Sequence, residues 1–160
     1  MTRPYPASLV RFTGARALGG VGELHVTASG GGVAQLFAAT AAALRARSAR
    51  ILHERIFADQ HDIADLLARR AAAYGDLDDG VAPTVLSAPS GRGGAAPVIQ
   101  IHAVTGPPPE AVDARTRRWQ AGGLVTVSSL TSASVGSSAG SGGEQTAAAF
   151  ADLAGRLAAA

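Results

Sequence analysis

The sequence predicts an α+β fold, a two-layer sandwich with two helices on one face of a single sheet. Three observations lead there. Short runs with two-residue alternation recur along the first two-thirds of the chain, two apolar stripes at helical spacing interrupt them, and glycine-rich or acidic loops separate the elements.

Ser8 to Phe12 reads as the opening strand. Glu23 to Ser29 follows, alternating Leu24 and Val26 with Glu23, His25 and Thr27. Gly30 to Gly32 break the chain, and Val33, Leu36, Phe37 and Leu44 then form the stripe of a first helix ending near Arg47. Ile51 to Phe57 is a strand. Asp59 is placed to cap a second helix and Asp62 to sit in its first turn; its stripe is Ile63, Leu66, Leu67 and Tyr74, and Gly75 suits the position just past its end. After the acidic loop DLDDG, Thr84 to Ala88 and Val98 to Val104 close a ββαβαββ unit over residues 1–105.

TGPPPE opens a Pro-rich linker assigned to 106–120, because proline neither continues a helix nor donates within a central strand. Leu124 to Ser129 is again a strand. A Ser/Gly-rich loop leads from it to a helix carrying Phe150, Leu153 and Leu157. GELHVTAS at Gly22 is echoed by GGLVTVSS at Gly122, so 121–160 reads as the strand, loop and helix of a partial second unit.

Composition narrows the function classes. The 160 residues hold no cysteine, which removes disulfides, thiolate metal sites and a cysteine nucleophile. The N-terminus has no apolar leader, and no apolar run approaches a membrane span, so a cytoplasmic, non-membrane protein is expected. Net charge is +2 and aromatics are 4%, a poor match to a nucleic-acid surface with interleaved stacking rings. The arginine clusters at Arg45 to Arg50, Arg69 and Arg70, and Arg115 to Arg118 read as solvated helix faces.

The chemistry-bearing residues gather by alternation. Gln100 and His102 point away from Ile99, Ile101 and Ala103; Glu23 and His25 point away from Leu24 and Val26; His53 and Arg55 point away from Leu52 and Ile56. If these strands are neighbours, one sheet face carries all six polar residues. Such a face serves either as a cleft with His102 as acid or base, helped by Gln100 and His25, or as the hydrated interior of an oligomer. In the first use, Arg55, Arg92, Glu23 and His53 bind the substrate. No tight pair such as H-x₃-H is present, and neither a metal nor a cofactor is expected. SGRGG, which contains Arg92, leads into a strand and not a helix N-terminus, so it reads as a turn and not a phosphate cradle. The Ser-rich segment before Glu144 supplies no base to activate a hydroxyl, and Trp119 reads as an anchor for the linker.

The element order, the run ILHERIFADQHDIADLLARRAAAYGD and the strand pair APTVL and VIQIHAV together resemble the Rid family over about half the chain, Leu24 to Val104. The tail resembles the start of the second half in double-unit relatives such as chorismatases. The resemblance implies a chorismate-mutase-like trimer with small-molecule clefts between subunits, or a hetero-oligomer with a Rid-like partner. Deaminases of the family grip a substrate carboxylate with an arginine before the fourth strand and arrange water with a glutamate on the last. Those positions fall at Pro83 and His102 here. Proline offers no guanidinium, so the expectation is a divergent enzyme acting on a small carbonyl, imine or enol-ether metabolite, not an ordinary enamine deaminase. The alternative is a non-catalytic binding or assembly subunit that completes its second unit with a partner chain.

Overall fold

The computed structural model describes residues 9–18, 21–58, 63–87, 97–121, 124–129 and 142–159. Its elements are β1 (Leu9–Leu18), β2 (Val21–Ser29), α1 (Val33–Arg45), β3 (Arg50–Ala58), α2 (Ile63–Tyr74), a 3₁₀ turn (Gly75–Leu77), β4 (Thr84–Ser87) and β5 (Val98–Val104), then β6 (Glu110–Asp113), β7 (Thr116–Ala121), β8 (Leu124–Ser129) and α3 (Gly142–Ala159). The first seven helices and strands follow the expected order ββαβαββ, and the fold is α+β. Ser8, Asp59 and Asp62 lie outside the described residues.

β1, β2, β5, β3 and β4 form one sheet in that order. β5 is central, antiparallel to both β2 and β3, while β4 runs parallel to β3. Leu36, Phe37 and Leu44 of α1, with Leu66 and Tyr74 of α2, bury against Val26, Ile56, Ile99 and Ile101 in one apolar core. Both helices therefore cover one face, and the burial of these side chains is the main stabilising term. Gly30 and Gly31, both at positive φ, make the turn from β2 into α1, a backbone shape other residues adopt only with strain.

A bulge in β3 changes the expected alternation. Ile51 pairs with Ala103 and His53 with His102, so Leu52 is the extra residue. Leu52 therefore leaves the helix face where alternation placed it and packs with Val104 and Trp119. Glu54, opposite Ile101, is turned into the core. There its carboxylate accepts from Arg70 Nε at 2.6 Å and from the Tyr74 hydroxyl at 2.8 Å, while Arg70 Nη1 reaches Asp78 at 2.9 Å. The side chains of Arg70 and Glu54 are 4% and 0% exposed, so Arg70 belongs to the interior and not to a solvated helix face.

The stretch 106–120 is also more than a linker. The prolines stay outside strands, but β6 and β7 form a hairpin and β8 extends it into a three-stranded antiparallel sheet. The hairpin turn is held by Arg115 N–H donating to Asp113 Oδ1 at 2.7 Å. Arg117, read from the sequence as solvated, is 2% exposed. Its Nε and Nη2 grip Asp79 with two bonds of 2.6 Å, and Nη2 also donates to the Val81 carbonyl. Trp119 is buried as expected of an anchor, donating to the Pro107 carbonyl at 2.8 Å. The expected strand and helix of the tail are present as β8 and α3, but β8 takes its partner from β7. No described helix is long and apolar enough to cross a membrane.

Candidate functional site

Among the described residues, the sheet face opposite the helices is only partly covered. The small sheet seats Trp119 against Leu52 and Val104 at one end of that face. Beyond it lies a cleft of about 350 Å³ lined by His25, Thr27, His53, Arg55, Gln100 and His102. Glu23, two residues before His25 on the same face of β2, flanks it. Six of the seven sequence-derived site residues are thus brought together by three neighbouring strands. Arg92 lies outside the described residues.

Register explains the grouping. His102 on β5 stands opposite His25 on β2 and opposite His53 on β3, so three imidazoles cross the sheet in a row. Gln100 stands between Thr27 and Arg55 one step along. The His25 and His102 rings stack with centroids 4.8 Å apart and planes 18° from parallel. Glu23 Oε2 lies 3.6 Å from His102 Nε2, within ion-pair range but too long for a hydrogen bond. That nitrogen is buried without a hydrogen-bond partner among the described residues, whereas His53 Nε2 shares a hydrogen bond of 3.2 Å with Thr84 Oγ1.

Both inner histidines are biased toward the neutral imidazole. Burial lowers the His102 pKa, the charge on His25 adds to the effect, and Glu23 opposes it. Burial likewise lowers that of His53, reinforced by Arg55, then by Arg117 and His102. A neutral imidazole can accept a proton, and Glu23 is placed to stabilise the imidazolium that results. Arg55 is exposed at the cleft wall and free of any close carboxylate partner among the described residues, which leaves its guanidinium available to an anion. Pro83 is buried and contributes no charge.

Alternation alone could not reveal that Leu52 packs with Val104 and Trp119 and not against the helices, because that requires the bulge and the β6–β7 hairpin. Comparison with protein-family models, with curated proteins and with solved structures finds no match to this chain.

Proposed function

We propose that the cleft binds a small anionic carbonyl, imine or enol-ether metabolite and that His102 serves it as acid and base. The protein would then be a divergent Rid-like enzyme and not an ordinary enamine deaminase. The observation that carries this reading is His102 itself, set between His25 and His53 with a buried nitrogen facing Glu23 beyond hydrogen-bond range and with Arg55 on the same wall. Arg55 pairs with the substrate's anionic group and Gln100 donates to its oxygen. The His102 imidazole takes a proton from the carbon next to the carbonyl. The C–H electron pair becomes the enolate double bond as the carbonyl π pair moves onto oxygen, Glu23 stabilises the imidazolium, and the proton returns to a neighbouring atom.

A test that needs no knowledge of the natural substrate is exchange of the pyruvate methyl protons with deuterium in D₂O, followed by NMR on metal-free protein. The native protein should accelerate exchange over buffer. His102→Ala should lose about 10²-fold or more of that acceleration, and Arg55→Ala should weaken pyruvate binding. No acceleration by the native protein, or full activity in His102→Ala, overturns the acid–base role.

A second reading, a non-catalytic assembly subunit, is favoured by α3. Phe150 and Leu157, seven residues apart and so on one side of the helix, are 67% and 53% exposed. Leu86, also exposed, borders the cleft face beside Phe57 and Val98. A second copy packed there would close the cleft, as in the trimeric arrangement that the family resemblance implies. Binding of pyruvate without proton exchange, in a protein larger than one chain in solution, would select this reading.

A further inference from the structure

We propose that Glu23, His25 and His102 form a binding site for one divalent transition-metal ion of the zinc, cobalt or nickel class. One ligand atom from each lies within 4.8 Å of the other two. The three side chains come from two paired strands in fixed register, with His25 directly opposite His102 and Glu23 two residues away on the same face. Rigid strands hold such a trio together at little entropic cost on binding. Glu23 Oε2 and His102 Nε2 are already 3.6 Å apart. Tetrahedral zinc, with bonds of about 2.1 Å, keeps neighbouring ligand atoms roughly 3.4 Å apart, so the spacing fits once the two stacked rings turn out of their near-parallel arrangement to aim both lone pairs at one ion.

The donor chemistry selects the ion. Two imidazoles with one carboxylate suit borderline transition metals, whereas magnesium and calcium require a shell of oxygens. His102 Nε2 is also a buried nitrogen that no group among the described residues satisfies. A metal bond would satisfy it. His53, engaged with Thr84, stands outside the trio, and the cleft on the other side leaves a coordination position open to water or a small ligand.

The site shares residues with the proposed acid–base cleft but does not depend on it. One imidazole lone pair cannot hold a metal and a substrate proton together, so bound metal should silence proton exchange at His102.

The experiment is a Co²⁺ titration of chelator-treated full-length protein, followed by visible d–d absorption, with Zn²⁺ calorimetry in parallel. One ion per chain is expected. His102→Ala and His25→Ala should weaken binding beyond the about 10–100-fold that outer-sphere partners cost, Glu23→Gln should weaken it without disturbing the fold, and His53→Ala should leave it unchanged. Absence of saturable binding, or affinity unchanged in His102→Ala and Glu23→Gln variants with native circular dichroism, overturns the proposal. Failure here leaves proton exchange by the metal-free protein untouched, and failure of that exchange leaves metal binding untouched.

Discussion

At the scale of single residues, His53 and His102 couple the cleft to stability. Both imidazoles are held below the ordinary value of about 6.5, chiefly by burial. Below that value the unfolded chain takes up protons that the folded chain refuses, so stability is full above it and is lost as the pH falls toward the lowered folded values. Urea midpoints should therefore drop between about pH 7 and pH 5, and the drop should be smaller in a His53→Gln/His102→Gln variant. A midpoint equally pH-dependent in that variant would assign the effect to other groups. Glu23, His25, Gln100 and His102 were legible in the sequence because β2 and β5 alternate without interruption. Glu54 was not. Alternation puts it on the Ile56 face, but the partners that make a buried carboxylate tolerable, Arg70 and Tyr74, lie 16 and 20 residues away, and nothing in ILHERIF marks Leu52 as the extra residue that leaves that face.

Between elements, two buried ion networks set the architecture. Glu54, Arg70, Tyr74 and Asp78 tie α2 to β3. Burial works against the Arg70 charge, but Glu54 and Asp78 more than offset it and hold the guanidinium protonated. Arg70→Ala would strand the Glu54 carboxylate in the core and should cost about 3–5 kcal/mol in urea unfolding. A loss below about 1 kcal/mol would mean that water reaches Glu54. Arg117 does the corresponding work for the small sheet. Burial raises the Asp79 pKa, yet the Arg117 hydrogen bonds outweigh it and keep the carboxyl below its usual range. Arg117→Ala should loosen β6–β8 from the large sheet and expose Trp119, the only tryptophan, so its fluorescence should shift to the red at native secondary-structure content. An unshifted spectrum would show that Trp119 holds the sheet by itself. The ββαβαββ elements were legible because strand and helix periods differ sharply. The β6–β7 hairpin was not, since Arg115, Arg117 and Arg118 look like a solvated run until Asp79, 38 residues before Arg117, is known to be a partner.

For the whole molecule, the arrangement divides labour between the two sheet faces. Helices bury one face, and the small sheet covers part of the other, so the polar residues near the middle of β2, β5 and β3 are left lining a cleft. α3 presents Phe150 and Leu157 outward, a cost in water that assembly would remove. Light scattering should report a mass above one chain, and Phe150→Asp with Leu157→Asp should lower it; a native protein that stays monomeric at high concentration would contradict assembly. Both readings of function turn on the histidine row as a ligand site. Its most direct test is a histidine side-chain ¹H–¹⁵N NMR titration with pyruvate on metal-free protein. His25, His53 and His102 should shift together and saturably, with the response weakened in Arg55→Ala. Resonances that stay fixed at saturating probe, or shifts that persist unchanged in Arg55→Ala, would contradict it.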